Sequence, residues 1–213
     1  MTLDTWLAFF VAAWAICLSP GPGVLSSVTA GLNWGYRGAA WNLLGLQLGA
    51  TLLLAIAAFG IGAVLAAAPT AFLVVKYLGA AYLIWLGIQQ WRARAAPISL
   101  PDAAAGTVAA RPTARALVLR GFLTNVSNPK GILFLASVLP QFIDLRQPQL
   151  PQYLIVALTL IFTDVCSMSF YTVLGKQALR LMRSPRALQW INRGFGTIFI
   201  IAGIGLASYH HGT

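Results

Sequence analysis

Few residues in this chain carry chemistry, and they interrupt apolar runs. Ser19-Pro20-Gly21-Pro22-Gly23 and Asn128-Pro129-Lys130-Gly131 each place proline and glycine beside polar groups. Proline removes a backbone donor and clashes with the preceding helical turn. Glycine lowers the resistance to unwinding. Each segment predicts a helix broken near its middle, with backbone groups freed for a ligand. Asp164 lies in another run, within Phe162-Thr163-Asp164-Val165-Cys166. At bilayer depth a carboxylate costs about 3 kcal/mol on insertion scales, so its side chain should face the protein interior. Helical spacing puts Ser167, Met168 and Tyr171 on its face, with Ala157 and Leu160 a turn or two before. Such a carboxyl can carry a proton or pair with a substrate ammonium; the plainer role is a packing bond to Ser or Tyr. Lys130 has two readings, an amine held inside its span or a stem that snorkels to the interface. Lys76 sits a turn inside the end of its span, where snorkelling is the simpler expectation.

The elements that must position these groups follow from composition. Of 213 residues, 59% are apolar and 8% charged, where soluble domains carry about 25% charged residues. The mean hydropathy of +0.78 agrees. Such a chain cannot cover a soluble surface. At about 20 apolar residues per span, the length allows roughly six membrane helices and no soluble domain. Continuous Leu- and Ala-rich runs argue against a β-barrel, whose strands alternate. Two cysteines exclude a disulfide-stapled fold. Cys17 and Cys166 lie in different runs and read as small apolar residues. His210 and His211 read as a solvated tail rather than metal ligands.

The runs are about Trp6–Ser27, Gly38–Ala67, Ala71–Trp91, Leu117–Phe142, Tyr153–Gly175 and Ala187–Tyr209. The first is not a signal peptide, since its n-region holds Asp4 and no cation. Pro97, Pro101 and Pro112 mark Ala93–Arg115 as the longest loop, and Lys176–Arg186 is a second basic loop. The second run carries Gly38, Asn42, Gly45 and Gly49 on one face, a stripe for close helix packing. Lys76, Gly79, Ala80, Leu83 and Gly87 form a similar face in the third.

The excess of 14 Lys and Arg over 4 Asp and Glu would suggest nucleic acid in a soluble protein. Here the cations sit between runs and set topology. Arg37, then Arg92, Arg94, Arg111, Arg115 and Arg120, then Lys176, Arg180, Arg183, Arg186 and Arg193 fall on one side; Arg146 falls on the other. Cation excess marks the cytoplasm, so both termini are expected in the periplasm. Trp6, Trp34, Trp91, Trp190 and Tyr209 stand near span ends as interfacial anchors.

The two broken runs are the first and the fourth. The fourth lies an odd three spans on from the first, so the two halves are expected to have opposite orientation in the membrane. Paired interrupted helices in inverted repeats mark a midplane substrate site. The expected fold is all-α and polytopic, with six transmembrane helices in two inverted three-helix repeats. Repeat one is 1–91, a cytoplasmic loop is 92–116, and repeat two is 117–213, all in one transporter domain.

The residues also resemble a known family, the LysE/RhtB family of bacterial amino-acid exporters in the LysE-type transporter superfamily. The resemblance is carried by Ser19-Pro20-Gly21-Pro22-Gly23 and by Gly31 through Gly49 with Arg37 between. It continues through Pro69-Thr70-Ala71-Phe72 and the block from Leu73 through Lys76 to Gly87. Phe122-Leu123-Thr124-Asn125-Val126-Ser127-Asn128-Pro129-Lys130-Gly131, Leu139-Pro140-Gln141-Phe142 and Asp164 complete it. The similarity spans nearly the whole chain in order. It implies export of amino acids or close derivatives across the bacterial inner membrane, driven by the proton gradient or membrane potential. It implies no cofactor. The family often has Asn or Asp where this chain has Gly23, and many members carry an acid where Ala50 and Thr51 follow Gly49. Fewer carboxylates argue against a dibasic cargo and put weight on Asp164.

The candidate substrate-binding residues are Ser19, Pro20, Gly21, Pro22, Gly23, Asn42, Asn125, Asn128, Pro129, Lys130 and Asp164, with Asp164 also the candidate for proton coupling. A cargo carboxylate would meet the half-helix N–H groups after Pro22 or the Lys130 amine. A cargo ammonium would meet Asp164 or carbonyls near Ser19 and Asn128. No catalytic site is expected, because the spans hold no paired nucleophile and base, and no metal site, because carboxylates and thiols are scarce. Expected partners are the amino acid, a proton and the bilayer, with no nucleic acid and a homo-oligomer open. The rival readings are a metal or small-cation exporter of the same superfamily and a membrane thiol-redox relay through the cysteines.

Overall fold

Proline placement sets the helix ends on which the site depends. The computed structural model describes residues 1–67, 69–93, 112–144, 146–175 and 184–208. Helix α1, Leu3–Leu18, begins at an N-cap in which Thr2 accepts from the Thr5 N–H. It stops because Ser19 precedes a proline, and that position disfavours helical backbone; Ser19 is extended at φ −66°, ψ 128°. Helix α2, Pro22–Ala67, starts on a proline, whose missing N–H costs nothing in a first turn. It holds one break of its own, at Gly35, with φ 67° and ψ −174°. That backbone region is essentially restricted to glycine. Gly35 therefore divides α2 into a half-helix, 22–34, and a long helix, 36–67.

Helix α3 is Pro69–Arg92. Helix α4, Ala114–Val126, is N-capped by Thr113 and ends at Ser127. Asn128 then N-caps α5, Pro129–Val138, and a 3-10 turn, Leu139–Phe142, follows. Helix α6 is Gln149–Val173 and α7 is Pro185–Ser208. Among the described residues there is no strand.

The break in the first apolar run falls where the prolines predict it, although the helical stretch continues past Ser27 to Trp34. The fourth run is likewise two helices parted at Ser127-Asn128. The third, fifth and sixth runs are single helices whose ends shift from the expected ones by at most a turn or so. The loop 94–111, residues 176–183 and the tail with Tyr209, His210 and His211 lie outside the described residues. The Lys76 side chain does as well.

Polarity in α6 is inside out relative to a soluble helix. Gln152, Thr159, Thr163 and Ser167 are buried, while Leu150, Leu154, Leu158 and Phe162 are exposed. Pro22–Gly60 and Gln149–Val173 are long and apolar enough to cross a membrane. At 1.5 Å per residue a helix of this latter length spans about 37 Å, more than the roughly 30 Å hydrocarbon core. Apolar faces turned outward are what lipid solvates.

Glycines set how closely the helices approach. A Cβ on Gly45 would run into the Val118 backbone, and one on Gly121 would run into the Asn42 carbonyl. So α2 and α4 touch main chain to main chain, and the predicted stripe Gly38, Asn42, Gly45 and Gly49 faces α4. Helices α3 and α7 pack in the same way: a Cβ on Gly87 or Gly196 would come 2.6 Å from the other's carbonyl oxygen. Helix α1 lies along α6, where Trp6 donates to Thr159 at 3.1 Å and Trp14 meets Phe162 edge-on.

Two apolar clusters result. One gathers Phe9, Leu54, Leu83, Phe134, Leu135, Val156 and Phe199; the other is Val24, Val28, Leu46 and Met168.

Candidate substrate site between the broken helices

A cavity of about 110 Å³ opens where these two clusters meet. Its wall includes the first break (Ser19, Gly21, Gly23), the second (Asn125, Asn128, Lys130, Gly131), and Asp164 of α6. Ala50, Thr51, Leu46, Leu54, Phe134 and Met168 supply much of the remainder. The segments that the sequence separates by a hundred residues are thus one chamber.

Ending α1 early leaves its last carbonyls without N–H donors, and those acceptors must be satisfied. Lys130, on the opposite broken helix, donates its Nζ to the Ile16 carbonyl at 3.0 Å and the Ser19 carbonyl at 2.8 Å. The Tyr171 hydroxyl donates to the Leu18 carbonyl at 2.6 Å. A cation at a helix C-terminus also meets the negative end of the helix dipole. Lys130 therefore does not snorkel; its ammonium closes the first break. Ser19 itself is 1% exposed, and its hydroxyl accepts from Gln90 Nε2 of α3 at 2.6 Å.

Asp164 accepts a hydrogen bond from Gln47 Nε2 on α2. Gln47 sits between Gly45 and Gly49 of the small-residue stripe but on another side of the helix, so one face of α2 packs on α4 while another holds the carboxylate. Ser167 and Tyr171, expected on the Asp164 face, do not bond it. Ser167 Oγ is buried without a partner among the described residues, and Tyr171 serves α1. Cys17 is buried 3.7 Å from the Thr163 hydroxyl, and Cys166 is half-buried; both are free thiols.

The two asparagines of the second break are oriented by backbone. Asn125 Nδ2 donates to the Leu46 carbonyl at 2.6 Å, and Asn128 Oδ1 accepts the Lys130 N–H at 3.1 Å. Of the remaining candidates, Pro20, Pro22 and Pro129 shape the breaks and do not line the chamber. Asn42 is off the chamber wall and 0% exposed, accepting from the Ser26 hydroxyl at 2.9 Å. Gln47, Gln90, Thr51 and Met168 were not among the sequence candidates. Gln47 and Gln90 carried a signal, each being an uncharged polar residue among apolar neighbours. Met168 carried one too, by its helical spacing from Asp164, and Thr51 by standing where many members of the family carry an acid.

These features define a class: an all-helical membrane protein with a small, mostly apolar chamber that carries a few polar groups between interrupted helices. The model of the LysE type translocator family matches residues 14–210, and the chain belongs to that family. It is a translocator and not an enzyme. The chain is 40% identical over 211 residues to a homoserine/homoserine lactone efflux protein of Salmonella typhi, covering 99% of this chain and 100% of the relative. It is 30% identical over 211 residues to a leucine efflux protein of Enterobacter sp. (strain 638), covering 98% and 97%. A membrane protein of Vibrio cholerae serotype O1 is 38% identical over 208 residues, covering 98% of each. No solved structure matches the chain.

Proposed function

We propose that this protein exports a small neutral amino acid or close derivative from the bacterial cytoplasm by proton antiport with alternating access. Homoserine, its lactone and leucine are the first cargoes to test, because similar proteins carry those names. The observation that carries the proposal is Asp164: a carboxylate on the chamber wall between two broken helices. It offers a seat for a cargo ammonium or a proton, one replacing the other. Apolar walls from Val24, Leu46, Leu54, Phe134 and Met168 suit a short uncharged side chain.

The architecture beneath this reading is six spans in two inverted triplets, 1–91 and 117–213, joined by a cytoplasmic segment, 92–116. Its support is the matched pairing of elements. Helix α1, the first half of one broken span, lies on α6; helix α4, the first half of the other, lies on α2. Helices α3 and α7 pair with each other through reciprocal glycines. The inner-membrane orientation, with both termini periplasmic, draws on cations beside aromatic anchors at one end. Arg120 stacks on Trp34 at 5.2 Å, and Arg193 stacks on Trp91 at 5.3 Å.

The test is export from cells preloaded with homoserine, its lactone or leucine, and growth protection against toxic analogues. Expression should accelerate loss of at least one cargo and confer resistance. No acceleration across a broad amino-acid panel would overturn the proposal.

A further inference from the structure

Gly131 sits beside two amide groups whose orientations are already fixed. Asn125 spends its Nδ2 on the Leu46 carbonyl, which leaves Oδ1, an acceptor. Asn128 spends its Oδ1 capping α5, which leaves Nδ2, a donor. Neither remaining atom has a hydrogen-bond partner among the described residues. A methyl built on Gly131 would lie 3.7 Å from Asn125 Oδ1 and 3.9 Å from Asn128 Nδ2, and apart from its chain neighbours and its own helix backbone no other atom comes within 4 Å. All three residues line the chamber. The space in front of Gly131 is therefore flanked by one acceptor and one donor and is otherwise open.

A hydroxyl is the small neutral group that donates and accepts at once. A carboxylate only accepts, so Asn125 Oδ1 would repel it. A methyl would leave both amides unpaired, and a site built for a hydroxyl rejects the analogue that lacks it for that reason. We propose that Asn125, Asn128 and Gly131 form a specificity subsite that reads a hydroxyl on the cargo's side chain. The inference rests on the exporter reading above. In it, the cargo's ammonium lies toward Asp164 and its hydroxyl sits between the two amides, with Gly131 leaving the room.

The test compares efflux of L-homoserine with L-norvaline, in which a methyl replaces the hydroxyl, from cells loaded with each. Wild type should export homoserine about tenfold faster, the effect of one to two neutral hydrogen bonds. Gly131→Ala puts a methyl between the amides at ordinary contact distance from both. Asn128→Ser keeps a capping oxygen for α5 but replaces the amide donor by a shorter hydroxyl drawn back from the space in front of Gly131. In each variant the homoserine-to-norvaline ratio should fall to about one. Equal rates in wild type, or a ratio that both variants leave unchanged, would overturn the subsite while the exporter reading stands. If wild type exports neither compound nor any other amino acid, both fail together. Should Asn128→Ser not accumulate in the membrane, Gly131→Ala decides alone.

Discussion

Lys130 and Ser19 stand on different broken helices, and the Lys130 ammonium donates to the Ser19 carbonyl at 2.8 Å. One side chain thus satisfies the backbone that the other break exposes. Replacing Lys130 by Met should orphan the carbonyls of Ile16 and Ser19, at about 1–3 kcal/mol for each buried acceptor left unpaired. The detergent-purified variant is expected to unfold at a clearly lower temperature than wild type, followed by thermal scanning. A lysine that merely snorkelled would give no such change.

Asp164 and Gln47 predict a transport defect rather than a folding defect. Asp164→Asn keeps the shape and can still bond Gln47, so membrane insertion and unfolding temperature should hold. Proton-driven uptake into inverted vesicles should drop at least about tenfold, the loss of one charge-assisted contact. Gln47→Leu frees the carboxylate from its holder and should impair the same assay less. Full transport by Asp164→Asn would remove the carboxylate from the coupling scheme.

Main-chain contact between α2 and α4 predicts intolerance of any added atom. Gly45→Ala drives a methyl into the Val118 backbone, which cannot move aside as a flexible side chain would. Overpacking typically costs about 1–3 kcal/mol, and a rigid backbone partner puts this variant at the upper end. Gly194→Ala, where a Cβ meets nothing within 4 Å, should be silent. Expression level and thermal unfolding in detergent compare the pair directly.

Cys17 and Cys166 are both free; Cys17 lines the chamber beside the first break, but Cys166 lies on the unbroken α6 and off the chamber wall, where a thiol relay would need a second cysteine at the second break. A Cys17→Ser, Cys166→Ser protein should therefore export cargo at close to the wild-type rate. Abolished export, with the protein still present in the membrane, would reinstate the redox reading.

Much of this site was legible in the sequence because proline and glycine act locally. Ser19-Pro20 and Asn128-Pro129 end their helices by backbone sterics that no tertiary contact has to supply. Asp164 was legible because an acid in an apolar run has to be buried. The partners were not. Whether Lys130 reached the interface or the first break depended on how two segments 111 positions apart came together. Gln47 was hidden for a similar reason: it sits between the packing glycines of α2, and only the rotation of that helix against α6 shows which side it serves. Asn42 looked like its equal as a polar residue in an apolar helix, yet it lies off the chamber wall, with its Oδ1 accepting from Ser26 and its Nδ2 buried without a partner among the described residues. A connecting turn is expected between Ser27 and Gly38, but its reduction to the single residue Gly35 is not legible, since a lone glycine among many gives no sign of its φ.

That turn has a mechanical consequence. The half-helix 22–34 joins the helix 36–67 through a single residue at φ 67°. A one-residue joint has no slack, so any tilt of the short rod is geared directly into the long one. Lengthening the joint with a few flexible residues would let the short rod swing while its neighbour stayed still.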